Sequence, residues 1–151
     1  MQELSVHSPL GPLTVAERDG AIVTLGWGWS RDSEETGLLC LAGEQLGKYF
    51  DGTRSAFDLP LEPSGTPFQR SVWSRLCEIP YGGTESYGSV ARSIGTAPRA
   101  IGGACARNPL PILIPCHRVL GSSGALGGYS GGEMGIDSKH YLLQLEGGRV
   151  H

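Results

Sequence analysis

Cys116 and His117 stand side by side in the string Pro115-Cys116-His117-Arg118-Val119, which is entered through the apolar run Leu110-Pro111-Ile112-Leu113-Ile114. A thiol beside an imidazole is a nucleophile beside a base. The thiolate is the reactive form, and burial normally raises a cysteine pKa and makes the sulfur inert. A buried thiol that reacts therefore needs a dedicated base and a guided substrate. Neighbouring residues of an extended segment point to opposite sides, so contact between the two groups requires a turn here or an intervening water. An imidazole base works best when a third group fixes its tautomer and stabilises its charged form. Glu146, at the end of an apolar helical pattern, is the carboxylate best placed for that. Asn108 precedes the proline-framed run and could hold it through side-chain amide bonds. From residue types alone, a core cysteine beside a hydrogen-bonded histidine is the competing reading.

The elements that must position these groups fall into two halves. Residues 1–63 read as an α+β domain, a small antiparallel sheet plus a helix. Strands over 4–6 and 13–17 are joined by the turn Ser8-Pro9-Leu10-Gly11-Pro12, and Asp19-Gly20 signals a hairpin into a strand over 21–27. Leu38, Leu39, Leu41, Ala42, Gln45, Leu46, Tyr49 and Phe50 recur at helical spacing, with Asp51-Gly52 as the stop. The proline-rich segment 59–66 reads as a linker.

Residues 64–151 read as a mostly α, winged helix-turn-helix-like domain. Thr66 is a candidate N-cap with Pro67 at the first helical position, and Phe68, Val72, Leu76 and Ile79 form an apolar stripe beside Trp73. Helical patterns over 87–94 and 99–107, joined by Gly95-Thr96-Ala97-Pro98, read as a helix-turn-helix. The second contains Gly102-Gly103, which costs roughly 1 kcal/mol of helix stability per glycine. Close approach to a ligand or DNA would explain this, and so would tight helix–helix packing. A glycine-rich stretch covers 121–132, and 139–145 reads as a last helix.

The totals narrow the class. The chain has 151 residues, 39% hydrophobic and 18% charged, which suits one domain or two small ones. No apolar run approaches the ~20 residues of a membrane span, and the start lacks the features of a signal peptide. A cytoplasmic protein without a membrane partner is expected. Cys40, Cys77, Cys105 and Cys116 lack any Cys-x-x-Cys spacing, so free thiols and no metal are expected. The net charge of −3 divides unevenly. Residues 1–63 hold four Lys/Arg against ten Asp/Glu (−6), and residues 64–151 hold eight against five (+3). That split fits a polyanion-binding second half, or ordinary surface charge.

The run Gly102-Gly103-Ala104, then Asn108-Pro109, then Ile114-Pro115-Cys116-His117-Arg118-Val119 resembles the active-site signature of O6-alkylguanine-DNA alkyltransferases. The likeness extends in order through Ser8-Pro9-Leu10-Gly11, Gly65-Thr66-Pro67-Phe68-Gln69, Val72-Trp73, Ile79-Pro80-Tyr81-Gly82, Ser86-Tyr87-Gly88, Gly128-Tyr129-Ser130-Gly131-Gly132 and Leu142-Leu143 with Glu146. The resemblance implies single-turnover transfer of an alkyl group from O6 of guanine, less readily O4 of thymine, in duplex DNA to Cys116. It implies no cofactor and a monomer, acting at the nucleoid if the source is bacterial. Catalytic roles would fall to Cys116 and His117, linked by a water, with Glu146 and Asn108 behind them. Tyr87 and Arg99 would flip the base, while Ala100, Gly102, Gly103 and Ala104 approach the minor groove. Cys105, Val119, Tyr129 and Ser130 would line the guanine pocket. Arg118 would hold structure through a salt bridge. The chain departs from the pattern in a shorter span between Tyr87 and Arg99, in Cys105 where Asn or Met is more usual, and in a longer 133–138 loop holding Met134. Two other classes compete: a non-catalytic alkyltransferase-like damage binder, which lacks the reactive cysteine, and a cysteine hydrolase, which needs water access.

Overall fold

Asp19 and Gly20 both adopt positive φ, 52° and 81°. This is the backbone of a tight hairpin whose twist matches its flanking strands. They join β2 (Leu13–Arg18) to β3 (Ala21–Trp27), and β1 (Gln2–Val6) completes an antiparallel sheet of order β1-β2-β3. The computed structural model describes residues 1–121 and 136–147, and the chain divides into Met1–Ser64 and Gly65–His151.

In the first unit, Leu13, Val15, Ile22 and Leu25 are buried. Helix α1 (Gly37–Phe50) packs on the sheet with Leu39, Ala42, Leu46 and Tyr49 inward. Thr36 caps it, its hydroxyl accepting from the Leu39 N–H at 3.1 Å. The segment read as a linker is partly strand-like. The Ile22 N–H donates to the Pro60 carbonyl at 2.8 Å, and the Glu62 N–H to the Ile22 carbonyl at 2.9 Å. The backbone edge of β3 thus pairs with residues 60–62, which belong with the sheet and not with a linker.

In the second unit, Thr66 and Gln69 form a reciprocal capping box at the start of α2 (Pro67–Leu76). Gly65 is required there, because a Cβ would lie 2.5 Å from the Trp73 ring. Val72, Trp73, Leu76 and Ile79 are buried, whereas Phe68 is exposed, so the apolar stripe begins one turn later than its spacing suggested. β4 (Glu85–Ser86) leads directly into α3 (Tyr87–Ile94), capped by Ser86 and ended by Gly95 at φ 74°. Helix α4 (Pro98–Ala106) opens on a proline, one residue before the predicted start. β5 (Val119–Leu120) pairs in parallel with β4. Helix α5 (Ile136–Leu145) starts three residues earlier than its pattern suggested.

Two polar ties fix the helices around the cysteine segment. The Trp73 indole N–H donates to the Ala104 carbonyl at 2.9 Å, joining α2 to α4. Arg75 grips both oxygens of Glu85 at 2.8 and 3.0 Å and reaches Ser93, joining α2 to β4 and α3.

Candidate active site

Asn108 holds the cysteine segment from both ends. Its amide donates to the Ile114 carbonyl at 3.0 Å, and its carbonyl accepts from the Leu110 N–H at 2.9 Å. The enclosed loop carries Ile112 at φ 75°, a conformation that β-branched residues almost never adopt. Such a backbone persists only where its surroundings over-determine it, and the Asn108 clamp and burial of Leu110 through Ile114 supply that. Pro115 then leads into a single 3₁₀ turn, Cys116–Arg118. A turn therefore stands at Cys116–His117, one of the two arrangements that their adjacency allows.

Cys116 is 1% exposed and His117 fully buried. The His117 Nε2 lies 2.8 Å from Glu146 Oε2, so the α5 terminus supplies the orienting carboxylate. Glu146 also accepts from Arg118, Nε to Oε1 at 2.9 Å and Nη2 to Oε2 at 3.0 Å, and Arg118 Nη1 donates to the Ile79 carbonyl at 2.7 Å. The His117 Nδ1 is buried without a hydrogen-bond partner among the described residues. Burial pushes the imidazole pKa below its usual range. The Glu146 bond and charge oppose that shift, while the Arg118 and Lys139 charges add to it.

Around the sulfur lies a second group of side chains. Burial raises the Cys105 thiol pKa, a Cys116 charge raises it further, and Lys139 counteracts both. Tyr87 is raised by burial first and then by the two thiols. Lys139 is fully buried. Its ammonium donates to the Tyr87 hydroxyl at 3.4 Å and lies 5.5 Å from the Tyr87 ring centre. Burial lowers its pKa to about 8 against the opposing pull of Cys116 and Cys105. Lysine is almost never fully buried without a partner, so this one marks the site. In the sequence it is hidden as one more residue of a helical pattern. The available signal is its phase, since Lys139 shares a helical face with Leu142, Leu143 and Glu146.

The other expected site residues separate into two groups. Val119 and Ala104 are buried, while Arg99 is exposed in the first turn of α4 and Ala100 is half-buried. A Cβ on Gly102 or Gly103 would meet nothing within 4 Å. Packing inside the described chain therefore does not require these glycines, which removes the helix–helix explanation for them. Tyr129, Ser130 and the Met134 insertion lie outside the described residues. Among the described residues no three His, Cys, Asp or Glu side chains gather as a metal site, and no helix is long and apolar enough to cross a membrane.

Comparison with known proteins bears on the whole chain. Residues 67–148 match the family described as 6-O-methylguanine DNA methyltransferase, DNA binding domain. Residues 3–63 match 6-O-methylguanine DNA methyltransferase, ribonuclease-like domain. The chain is 45% identical to a methylated-DNA–protein-cysteine methyltransferase of Methanosarcina barkeri, over 93% of this chain and 94% of that one. It is 43% identical to the constitutive methylated-DNA–protein-cysteine methyltransferase of Bacillus subtilis, over 94% and 93%. The crystal structure of Mycobacterium tuberculosis OGT in complex with DNA matches with a TM-score of 0.85 at 41% identity, covering 97% of this chain and 92% of that one.

Proposed function

The chain belongs to the 6-O-methylguanine DNA methyltransferase family, and from that membership we propose that it repairs duplex DNA by moving an alkyl group from O6 of guanine onto Cys116. O4-alkylthymine is a slower substrate of the same chemistry. The thiolate attacks the alkyl carbon, the S–C bond forms as the C–O6 bond breaks, and the electron pair stays on the base, which then takes up a proton. The product is a thioether that the protein cannot reverse, so each molecule acts once and no cofactor is needed.

The observation that carries this reading is the Cys116–Arg118 turn, with His117 anchored at Nε2 by Glu146 and its Nδ1 unsatisfied. An imidazole held in that way accepts a proton at Nδ1, here from the thiol through a bridging water. Lys139 adds a positive charge beside the sulfur and favours the thiolate. The target base leaves the stack to reach a buried sulfur, as bases do in other enzymes that act on them. Exposed Arg99 enters the duplex in its place, Tyr87 turns the nucleotide, and Gly102 and Gly103 allow the minor groove to approach α4. Tyr129 and Ser130 close the guanine pocket. DNA in the cytoplasm, or the nucleoid of a bacterium, is the natural site of action.

Intact-mass measurement after incubation with duplex DNA containing O6-methylguanine tests the assignment. One added methyl group mapped to Cys116 is expected. Unmodified protein bound to an intact lesion would turn the reading toward a damage-binding protein, and an untouched lesion with no binding would end both. Arg99→Ala is expected to slow repair of duplex DNA by about 10-fold or more, since a residue that positions substrate contributes at least that much. Reaction with free O6-alkylguanine should change little. Equal losses in both assays would remove Arg99 from base flipping.

A further inference from the structure

Glu146 is shared unequally between Arg118 and His117. Its Oε1 receives Arg118 Nε at 2.9 Å, and its Oε2 receives both Arg118 Nη2 at 3.0 Å and His117 Nε2 at 2.8 Å. The carboxylate thus already has a permanent counter-charge in a two-pronged grip, the strongest arrangement a guanidinium offers. Arg118 is itself fixed by the Ile79 carbonyl at 2.7 Å, and its guanidinium lies 5.9 Å from the Tyr81 ring centre. The Tyr81 hydroxyl reaches the Leu145 carbonyl at 3.3 Å. At Gly82 the φ is 81°, and a Cβ there would lie 3.3 Å from the Glu146 carbonyl oxygen. The 79–82 turn, the end of α5 and the cysteine turn therefore form one rigid block around a single carboxylate.

We propose that Arg118 is a positioning residue for alkyl transfer: by compensating Glu146, it leaves His117 neutral at rest, with the proton on Nε2 and the Nδ1 lone pair available for the Cys116 proton. This deepens the function proposed above and rests on His117 being the base. With Arg118 absent, Glu146 would draw a proton onto the imidazole, and an imidazolium has no lone pair to offer. Among the described residues, the charged groups that act on His117 are Lys139 from α5, Glu146 just past its end, and Arg118 from its own turn; Cys116 precedes it in that turn. Helix α2, packed on the same turn, contributes Cys77 at its end, whose thiol feels Arg118, while its Arg75 is committed to Glu85. Of these, Glu146 alone pulls His117 toward its charged form by a direct bond. Burial opposes that pull first, the Arg118 and Lys139 charges add to the opposition, and of the two only Arg118 is bonded to the carboxylate itself.

The test follows the His117 nitrogen signals in ¹⁵N-histidine-labelled protein across pH, assigned against His117→Gln. It also follows alkyl transfer to Cys116 from free O6-alkylguanine over the same range. The unsubstituted protein should carry its proton on Nε2 and remain neutral well below the usual histidine range. Arg118→Met should move the His117 titration, and with it the acidic limb of the rate profile, upward by about 1 pH unit or more. Arg118→Lys, which keeps the charge but not the fork, should cancel most of that shift and return the titration toward that of the unsubstituted protein. A uniform rate loss at every pH with an unmoved titration would overturn the proposal and leave Arg118 purely structural. A proton on Nδ1 in the unsubstituted protein would also overturn it. Should Arg118→Met not fold, the tautomer of the unsubstituted protein and the Arg118→Lys titration still decide. Absence of transfer to Cys116 in the unsubstituted protein would instead refute the proposed function, while the nitrogen spectra would continue to report on Arg118.

Discussion

Cys116→Ser is expected to leave the fold and duplex binding intact while slowing alkyl transfer by more than about four orders of magnitude. The substitution keeps the size of the side chain in a position that is only 1% exposed. What it removes is a soft, acidic nucleophile, and a serine hydroxyl does not ionise under a single imidazole base to any comparable extent. Intact mass after incubation with methylated duplex checks the loss of transfer, and a fluorescence titration of the same duplex checks the retained binding. Cys105 does not take over, because burial holds its proton on. A methyl group mapped to Cys105 in the variant would reverse the assignment of the acceptor. The unsubstituted protein should also show two limits in pH. His117 must be neutral to act as base, so transfer fails on the acid side as it charges. Lys139 helps only as the ammonium, and its pKa of about 8 sets where that help is withdrawn on the alkaline side. Lys139→Met should therefore flatten the alkaline limb and slow transfer below pH 8, and an unchanged profile would remove the lysine from the chemistry.

Features encoded by contiguous residues are legible in the sequence alone. Asp19-Gly20 specifies its hairpin because few other dipeptides accept two positive φ values in succession, and Thr66-Pro67 specifies a helix start through an N-cap followed by proline at the first helical position. That Cys116 and His117 need either a turn or an intervening water follows from the adjacency itself. What escapes is non-local. Residues 60–62 join β3 through backbone hydrogen bonds, which leave no periodic mark in side chains. Lys139 gains its meaning from Tyr87, 52 positions away, and from thiols on two other segments. Its helical phase with Leu142, Leu143 and Glu146 hints at burial, but a lone lysine on an apolar face could equally extend its charge to solvent. Gly102 and Gly103 are ambiguous for a similar reason. Only the empty space around their missing Cβ atoms separates an external partner from internal packing. The pairing of His117 with Glu146 is anticipated from chemistry. The second claim on the same carboxylate, by Arg118 through two bonds, becomes visible only once the donors and acceptors are counted.

That count makes Glu146→Gln the substitution with the widest consequences. Arg118 Nε, Arg118 Nη2 and His117 Nε2 all donate to this carboxylate at 2.8–3.0 Å. A glutamine has one acceptor oxygen and a donor NH₂ group. If its oxygen stays on Arg118 Nε, the amide NH₂ faces both Arg118 Nη2 and His117 Nε2. The guanidinium then loses a partner inside the protein, and a buried charge stripped of its counter-ion costs about 3–5 kcal/mol of stability. The imidazole meets a donor where it had an acceptor, so its Nε2 must give up the proton and Nδ1 must carry it. A protonated Nδ1 directs a donor at the sulfur and has no lone pair for the thiol proton. The same inversion of tautomer in a hydrolase triad costs about 10⁴-fold, and a water-linked relay should lose about 10²–10⁴-fold in transfer rate. Turning the amide the other way restores His117 but leaves Arg118 Nε without an acceptor, so no rotamer satisfies all three donors. Denaturant unfolding should record the loss of stability, single-turnover kinetics the loss of rate, and ¹⁵N-histidine spectra the migration of the proton from Nε2 to Nδ1. Transfer at the unsubstituted rate in a variant whose proton sits on Nδ1 would mean that His117 is not the base that activates Cys116.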